Sequence, residues 1–315
     1  MKILVTGGSG YIGSKVAEQL AARGDEVVVF DIAPPRSQVA GNTVFVRGDL
    51  SVFSEVLSVV KDHAIQRIFH LGSVVSYNTE QNPFPAMGVN VNGTYHILEA
   101  ARLFGVERVL FSSSYGTFGL DRQNNTLDDV TLQRPTMLYG CQKLFGEGLG
   151  RWYGSRSYLD FRAIRYAQVI GAGIRTPWHW APEMIEDVLA KRPHISKWGQ
   201  PASGNIMLSV PDAARATMEL MDAPRESVKT VCYNVAGMRE QVFAHEFADY
   251  LRGRFPGALI TLKPGEIPKD IESKRQIFDD SRARAEWGWQ PTADTVEKIV
   301  DAMQQEIQPN TSVRL

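Results

Sequence analysis

Short runs of β-branched and aromatic residues alternate with longer amphipathic segments along the first half of the chain. The apolar runs have the length of buried strands, and the segments between them repeat their apolar residues with a helical period. The alternation through about residue 170 predicts an α/β fold with a parallel sheet and right-handed crossovers. The expected strands span residues 3–5, 26–30, 43–47, 67–71 and 106–111, and the expected helices begin at residue 14 and span residues 51–65, 83–104 and 139–154.

The pattern changes beyond residue 172, where an aromatic-rich loop over residues 173–181 precedes shorter elements. Pro182 is expected in the first turn of a helix that ends at residue 189. We expect a first domain over residues 1–170 and a smaller second lobe over residues 171–315. Residues 205–240 are expected to return from this lobe to the first domain.

A glycine motif follows the first predicted strand. Gly7, Gly10 and Gly13 are spaced as G-x-x-G-x-x-G between that strand and a helix. Glycine suits a tight turn at which the backbone approaches a ligand, and the N-terminus of a helix favours a pyrophosphate. The motif therefore predicts a dinucleotide site, and the alternative is a glycine turn in an α/β domain without a cofactor.

The second predicted strand ends at Asp31, which strengthens the dinucleotide interpretation. A carboxylate at this position accepts hydrogen bonds from the adenosine ribose hydroxyls and repels a 2′-phosphate. Asp31 therefore predicts NAD rather than NADP as the cofactor.

Composition and charge exclude several other classes of function. The 315 residues are 43% hydrophobic and 22% charged, which predicts a folded protein with a sizeable core, and the net charge of −1 gives no reason to expect nucleic acid or a membrane as a partner. Cys141 and Cys232 lack metal-ligand spacing and are expected to be reduced thiols. The chain begins with a core strand, so we expect a soluble, untargeted cytoplasmic protein.

Several polar residues in or beside predicted strands and helices have more than one interpretation. Asp49 either holds the adenine amino group or caps the next helix. Gly72 and Ser73 are small enough for a dinucleotide to lie across them, whereas His70 is expected to be a hydrogen-bonded core histidine. Asn90, on an apolar helix face, either supports neighbouring backbone or pins its own helix, and we expect the second.

Tyr139 and Lys143 are four residues apart and thus share one face of a predicted helix. Tyrosine has a pKa of roughly 10 and is a poor base at neutral pH. A neighbouring ammonium favours the phenolate, so Lys143 is expected to lower the pKa of Tyr139. A serine at the end of the strand before residue 115 is expected to orient a substrate oxygen during hydride transfer.

The chain resembles the extended short-chain dehydrogenases/reductases, the superfamily of sugar-nucleotide epimerases and dehydratases. The resemblance rests on TGGSGYIG, Asp31, GDL, HLGS, NVNGTYHILEAA, SSS with a following TFG, YGCQK and LSVPDAARA. It implies a Rossmann-type doubly wound parallel sheet over residues 1–170 that binds NAD, and a substrate-binding lobe over most of residues 171–315. It also implies a homodimer formed through the helices at residues 83–104 and 139–154.

The resemblance assigns roles to matching positions. Tyr139 becomes the catalytic acid/base, Lys143 its partner and Ser114 the active-site hydroxyl. The implied cofactor-binding positions are Gly7, Gly10, Tyr11, Ile12, Gly13, Asp31, Ile32, Asp49, Leu50, Leu71, Gly72, Ser73, Ser112, Tyr139, Lys143 and Tyr166. The implied substrate-binding positions are Ser73, Ser114, Tyr139, Thr176 and Trp178.

Two reactions fit such a site, namely net oxidation of a small secondary alcohol and reversible hydride borrowing on a nucleotide-sugar by an epimerase or dehydratase. Enzymes of the second kind usually carry an asparagine and a Gly-Pro pair where this chain has Gln168 and no such pair. These departures favour the dehydrogenase. A redox-sensing protein without catalysis is a third interpretation, but it would be expected to lack Tyr139 or Lys143.

The second half is similar to one subgroup, the short-chain L-threonine 3-dehydrogenases, through SVPDAARATMELM, YNVAGM and DDSRARAEWGWQP. That subgroup closes a loop rich in glycine and threonine over its substrate. Here the loop reads GIRTPWHWA, which keeps Thr176 but adds Trp178, His179 and Trp180. A hydroxy-acid, a sugar acid or an apolar alcohol is therefore an alternative to threonine. The two tryptophans either line the pocket as a lid or pack internally.

Overall fold

The computed structural model describes residues 1–35, 41–119 and 124–307. Within these ranges, seven parallel strands form the central sheet in the order β7-β6-β5-β4-β1-β2-β3. This is a doubly wound order whose direction reverses between β1 and β4, and it confirms the predicted Rossmann-type fold. The strands are β1 (Lys2–Thr6), β2 (Glu26–Asp31), β3 (Thr43–Arg47), β4 (Arg67–His70), β5 (Arg108–Ser114), β6 (Asp160–Tyr166) and β7 (Cys232–Val235).

Helices cover both faces of this sheet, as the alternation along its strands requires. In β1, Ile3 and Val5 belong to one buried apolar cluster and Leu4 to another. A strand with both faces buried is a continuous apolar run, which is why these strands were visible in the sequence. The helices are α1 (Tyr11–Ala22), α2 (Phe53–Asp62), α3 (Ser76–Gln81), α4 (Pro83–Met87), α5 (Gly93–Leu103), α6 (Leu138–Ser155), α7 (Trp180–Leu189), α8 (Val210–Asp222), α9 (Ala244–Arg254), α10 (Ser281–Trp287) and α11 (Val296–Ile307).

A third apolar cluster lies in the second half of the chain, between α7, α9 and α11. Trp180, placed in a loop by the sequence analysis, begins α7 and packs edge-on against Phe247 with ring centroids 5.3 Å apart. In the described part of the chain, four pairs of very short strands accompany the cluster and the central sheet. They pair Gln168–Ile170 with Met207–Ser209, Gly204–Asn205 with Val242–Phe243, His194–Ile195 with Ile260–Thr261, and Thr126–Leu127 with Ile277–Phe278.

Residues 205–240 contribute α8 and β7 to the central sheet and its cover. Phe278, Ala283 and Trp289 also belong to a cluster that covers this sheet, so the chain returns to it a second time. The predicted division near residue 170 stays a prediction.

The helix predicted over residues 83–104 is not uniform. A π-helical turn over Gly88–Asn92 separates α4 from α5, so the prediction of one regular helix is wrong there. Such turns are frequent at functional sites because they redirect a side chain within a helix. Within the described ranges, no helix is both long and apolar enough to cross a membrane.

Candidate functional site

The predicted cofactor positions lie at one edge of the sheet, because parallel strands end together. Gly7 to Gly13 follow β1, Asp31 ends β2 and Ile32 follows it, Asp49 and Leu50 follow β3, Leu71 to Ser73 follow β4, Ser112 lies near the end of β5, and Tyr166 ends β6. The reversal of strand order between β1 and β4 opens a crevice at this edge.

The glycine turn is packed too closely for side chains. Gly7 has a φ of +66°, and a Cβ there would lie 2.5 Å from the Cα of Gly72. A Cβ at Gly13 would lie 2.2 Å from the carbonyl oxygen of Gly7. The first glycine therefore lets the turn contact the chain after β4, and the third lets α1 contact the turn.

Helix α1 begins immediately after Gly10, and no side chain of the described residues caps its N-terminus. The amide groups of a first helical turn have no partner within the helix, and the helix dipole adds positive potential there. An uncapped helix start beside a glycine-rich turn fits the pyrophosphate of a dinucleotide.

Asp31 is held at the mouth of the glycine turn. Its Oδ2 accepts a hydrogen bond from the amide of Ser9 at 3.1 Å, and its Oδ1 accepts one from the amide of Ala33 at 3.2 Å. A carboxylate has about four acceptor positions, so others remain for ribose hydroxyls. Ile32 beside it is 66% exposed, which fits a residue that lies against a ligand.

Asp49 does not cap the helix that follows it within the described residues. Its Oδ1 accepts a hydrogen bond from the amide of Ser51 at 2.8 Å, which forms a local turn. Helix α2 begins at Phe53, and no side chain in the described part of the chain caps it. The capping alternative is therefore wrong, and contact with adenine stays a prediction. Leu50 is buried against Gly72 and Gly93.

The predicted catalytic residues meet at the same edge. The hydroxyl of Tyr139, on the first turn of α6, has the side chains of Ser73 after β4 and Ser114 at the end of β5 as its polar neighbours. Lys143 lies one turn further, donates to the Oγ of Ser112 at 3.3 Å, and has its Nζ 5.5 Å from the centre of the Tyr139 ring. The structure thus brings together three strand ends and one helix face.

Burial dominates the protonation of this pair. It raises the pKa of Tyr139 to about 12, although the hydrogen bonds from Ser73 and Ser114 oppose the rise. Burial also lowers the pKa of Lys143 to about 7. The pKa of Tyr139 is therefore raised and not lowered as predicted. Burial outweighs any effect of the Lys143 ammonium on the phenol, and the same desolvation disfavours that ammonium.

Asn90 supports the backbone beside Ser73, so the expectation that it only pins its own helix is wrong. It lies in the π-helical turn, contacts Val74 and donates from Nδ2 to the Oε1 of Gln142 at 2.6 Å. Gln142 immediately precedes Lys143 on α6. Asn90 therefore connects the turn after β4 with the helix that carries Tyr139.

His70 is a buried and hydrogen-bonded histidine, as predicted. Thr94 donates its hydroxyl to the carbonyl of Asn90, so its Oγ1 accepts from Nε2 of His70 at 3.1 Å. The other ring nitrogen, Nδ1, then accepts from the hydroxyl of Thr6 at 2.8 Å, and Thr6 accepts from the amide of Gly72 at 3.2 Å. Burial and nearby Lys143 lower the pKa of His70 to about 3, which keeps this neutral relay intact.

Glu147 extends the stripe of Tyr139 and Lys143 by another four residues, a signal that the sequence analysis missed. Its carboxylate accepts two hydrogen bonds from Arg165 at 2.8 Å each and one from Ser113. Both charged side chains are about 2% exposed. This buried pair fixes α6 against β5 and β6.

The predicted positions outside this cluster have other partners. The hydroxyl of Tyr166 donates to Thr217 on α8, because Thr217 itself donates to the carbonyl of Ala213. The hydroxyl of Tyr166 is thus bonded to α8 and not to Ser73 or Ser114. Thr176 contacts the ring of His179, with 2.7 Å between Oγ1 and Nδ1. Trp178 is 49% exposed, and its carbonyl accepts from Asn205.

No group of three or more metal-ligating side chains converges within residues 1–35, 41–119 and 124–307. The site geometry instead fits a dinucleotide and an alcohol or carbonyl substrate.

Comparisons with known proteins agree with this geometry. The model of the NAD dependent epimerase/dehydratase family matches residues 3–236. Mitochondrial L-threonine 3-dehydrogenase of Sus scrofa is 30% identical over 304 residues, which cover 95% of this chain and 80% of that protein. UDP-glucose 4-epimerase of Lacticaseibacillus casei is 28% identical over 322 residues, covering 96% and 95%.

Among solved structures, the chain is similar to a GalE-like L-threonine dehydrogenase from Cupriavidus necator in its holo form. The TM-score is 0.85 at 30% identity, and the match covers 96% of this chain and 99% of that one.

Proposed function

This chain belongs to the NAD dependent epimerase/dehydratase family, and from that premise we propose that it oxidises a secondary alcohol of a small substrate to a carbonyl, with NAD as the hydride acceptor. The resemblance to extended short-chain dehydrogenases/reductases and the prediction of NAD are confirmed. The observation that supports the site is the Tyr139 hydroxyl between Ser73 and Ser114, with Lys143 one helical turn away.

Each residue of the site has a separate role in the oxidation. NAD, when bound, supplies a nicotinamide ring that accepts the hydride from the substrate carbon. Ser114 holds the substrate oxygen, and Tyr139 takes its proton as the carbonyl forms. Since the pKa of Tyr139 is about 12, its phenolate needs support, and the ammonium form of Lys143 provides it.

The cofactor contacts belong to the same proposal. Gly7, Gly10 and Gly13 let the start of α1 approach the pyrophosphate, and Asp31 accepts from the adenosine ribose. Thr176 and Trp178 remain the proposed substrate contacts of the second lobe.

The epimerase alternative is less favoured, because the side chain at its diagnostic position is already engaged. Gln168 stands where nucleotide-sugar enzymes usually carry an asparagine, and its Oε1 accepts a hydrogen bond from the amide of Ile206 at 2.7 Å. This hydrogen bond joins two segments of the protein, so a backbone amide already occupies the Oε1 of Gln168.

The test is a substrate panel with the purified protein and NAD. We expect NADH to accumulate with at least one secondary alcohol among L-threonine, hydroxy-acids and sugar acids. A UDP-sugar that is converted to its epimer without net NADH, with no alcohol in the panel oxidised, would contradict the dehydrogenase.

We also propose a homodimer. One face of α6 exposes Cys141, Phe145 and Trp152 at helical spacing, and the adjoining helical region exposes Phe84 and Tyr95. Phe84 is 91% exposed. Exposed apolar side chains on neighbouring helices form the kind of patch that is typical of a protein–protein interface. A second copy of this chain would cover it with the same two helices.

The cytoplasm is the proposed location. Neither Cys141 nor Cys232 forms a disulfide, and unpaired thiols are typical of reducing compartments.

A further inference from the structure

Residues 171–174 form a tight turn, which we call the 171–174 turn. The amide of Ile174 donates to the carbonyl of Gly171 at 3.3 Å, and Gly173, at the third position, has a φ of +77°. A positive φ at this position is typical of a type II turn and favours glycine. Gly171 is restricted as well, because a Cβ there would lie 2.4 Å from Cγ2 of Val210. The sequence therefore specifies the shape of this turn.

The chain carries this turn from one half of the central sheet to the other. It leaves the sheet at Tyr166, the last residue of β6, and reaches the beginning of α1, which follows β1. In the sheet, β6 and β1 are separated by β5 and β4, and all four strands end at the edge where the cofactor crevice lies. The segment from Tyr166 to the 171–174 turn therefore runs along this crevice.

Tyr11 makes the contact between the turn and α1. Its hydroxyl donates to the carbonyl of Gly173, and a Cβ at Gly173 would lie 3.5 Å from the oxygen of that hydroxyl. Tyr11 is the first residue of α1, so its backbone amide is one of the groups at the helix start that a pyrophosphate would contact. One residue thus offers its amide to the cofactor and its hydroxyl to the turn.

Two backbone amides of the turn are bound to helices of the second lobe. The amide of Ala172 donates to Oε2 of Glu306 on α11 at 2.9 Å, and the amide of Gly173 donates to Oε1 of Glu186 on α7 at 2.7 Å. The turn is therefore fixed to the lobe through its amides and linked to α1 through the carbonyl that Tyr11 binds.

The loop that follows the turn is also fixed to the lobe. Arg175 forms an ion pair with Glu186, and the carbonyl of Trp178 accepts a hydrogen bond from Nδ2 of Asn205 at 3.1 Å. The hydrogen bond with Glu186 raises the pKa of Arg175, and nearby Tyr11 adds to this rise. The turn and the loop are therefore held by the lobe as one unit that borders Tyr11.

A contact between two groups of the protein beside the crevice differs in its kinetic effect from a contact with the cofactor. A direct contact stabilises the complex and mainly slows dissociation. A contact that closes the crevice must break whenever the dinucleotide enters or leaves, so it slows both steps and leaves the affinity nearly unchanged. The two kinds of contact can therefore be distinguished by rate constants.

We propose that Tyr11 and the 171–174 turn form a gate for the dinucleotide, which opens when the hydrogen bond between the Tyr11 hydroxyl and Gly173 breaks. The side chain of Tyr11 thus controls cofactor exchange, whereas its backbone amide belongs to the pyrophosphate site. The inference rests on the proposed function, since a dehydrogenase exchanges its cofactor in every turnover. Opening of the gate is then one step of the catalytic cycle.

The first experiment measures the binding and release of NADH by stopped-flow fluorescence, without substrate. Tyr11→Phe keeps the ring and removes the hydroxyl. Loss of this hydrogen bond should raise both the association and the dissociation rate constants by about 3- to 10-fold, with the Kd within about twofold of the wild type. Tyr250→Phe is the matched control, because it removes a hydroxyl on α9 that contacts Arg254, and it should keep both wild-type rate constants.

Two results of this experiment would overturn the gate. Wild-type rate constants in Tyr11→Phe would mean that entry and exit of the dinucleotide do not depend on this hydrogen bond. A higher dissociation rate constant with an unchanged association rate constant, and hence an equal rise in Kd, would make the Tyr11 hydroxyl a contact of the cofactor and not part of a gate.

The second experiment loosens the turn from the side of the lobe. Glu306→Leu removes the acceptor of the Ala172 amide, so the turn is held less firmly and both rate constants should rise, as they do in Tyr11→Phe. Glu306→Gln keeps an oxygen that accepts from this amide and should have rate constants within about twofold of the wild type. Wild-type rate constants in Glu306→Leu would exclude the turn from cofactor exchange and overturn the gate.

Both experiments follow NADH binding alone, so their outcome is independent of the substrate panel that tests the dehydrogenase. Higher rate constants in Tyr11→Phe, with no alcohol of the panel oxidised, would support the gate and contradict the dehydrogenase. NADH formation from an alcohol, together with wild-type rate constants in Tyr11→Phe, would overturn the gate and leave the dehydrogenase intact.

Discussion

The side-chain amide of Asn90 hydrogen-bonds both backbone groups of Val74. Oδ1 accepts from the amide of Val74 at 2.8 Å, and Nδ2 donates to its carbonyl at 2.8 Å. On the other side of Ser73, the amide of Gly72 is bound by Thr6. The backbone on both sides of Ser73 is thus held by hydrogen bonds. These bonds fix the position of the Ser73 side chain relative to Tyr139.

Asn90→Leu should therefore lower kcat, although Asn90 acts through Ser73 and does not contact the substrate. The change leaves both backbone groups of Val74 and the Oε1 of Gln142 without this partner, which should lower the free energy of unfolding by about 1–3 kcal/mol. Displacement of Ser73 should lower kcat about 10- to 100-fold. Both quantities are measured well below the melting temperature, by urea unfolding and steady-state kinetics.

Asn92→Leu is the matched control for this prediction, because Asn92 lies in the same π-helical turn and is exposed. It should leave kcat within about twofold. If Asn90→Leu loses stability but keeps the wild-type kcat, Asn90 only stabilises the fold.

Tyr139→Phe should abolish most of the activity. The variant keeps the ring and removes the hydroxyl that exchanges the proton, so kcat should fall by about 10²- to 10⁴-fold. The dissociation constant for NAD, measured by calorimetry, should change by less than about threefold. Tyr153→Phe is the control, since it removes a hydroxyl on the same helix that contacts Glu99 instead. Wild-type turnover in Tyr139→Phe would contradict the mechanism.

The sequence was sufficient for the sheet and for the proximity of Tyr139 to Lys143, because both depend on short-range patterns. The strands that contain Leu4 and Val28 are buried on both faces and therefore stand out as apolar runs. Tyr139 and Lys143 meet through helix geometry alone. The glycine spacing predicts a turn for the same reason, because the close packing that requires glycine lies between Gly7 and Gly13, only six residues apart.

The sequence could not predict the hydrogen-bond partners of Asn90 and His194, because these contacts arise from the packing of segments in three dimensions. Val74 meets Asn90 only because a π-helical turn rotates it toward the loop after β4. His194 meets Asp187 from a strand of two residues, which is too short to show any period. The protonation of Tyr139 also depends on burial, which spacing does not reveal.

Asp31→Ala should reduce the preference for NAD over NADP. The variant loses the negative charge that repels a 2′-phosphate and the acceptors for the ribose hydroxyls. We expect the ratio of kcat/KM for NAD to that for NADP to fall at least about tenfold, measured with one substrate at fixed concentration. Glu26→Ala, an exposed carboxylate at the other end of β2, should leave the ratio unchanged, and an unchanged ratio in Asp31→Ala would exclude the ribose role.

The buried amine of Lys143 should make stability depend on pH. Burial lowers its pKa from 10.5 in the unfolded chain to about 7 in the folded protein. Between these values the unfolded state binds more protons, so the free energy of unfolding should rise with pH by up to about 1.4 kcal/mol per unit. Above pH 10 the buried phenol of Tyr139, whose pKa is about 12, has the opposite effect.

Urea unfolding from pH 7 to pH 10 tests this dependence. Lys143→Met should be more stable than the wild type at pH 7 and should lose the rise with pH, because no buried amine remains to be deprotonated. Lys61→Met, at an exposed lysine of α2, should keep the wild-type slope. Parallel profiles for wild type and Lys143→Met would contradict a lowered pKa for the amine.

The exposed face of α6 should hold the second copy of the chain. Trp152 is 47% exposed and follows Phe145 by two helical turns, so Trp152→Glu places a charge in the proposed interface. Burying that charge without a partner is unfavourable, and the variant should be a monomer by light scattering at a concentration where the wild type is a dimer. Leu259→Glu, at a residue that is 65% exposed in the second lobe, should remain dimeric, and a dimeric Trp152→Glu or a monomeric wild type would exclude this interface.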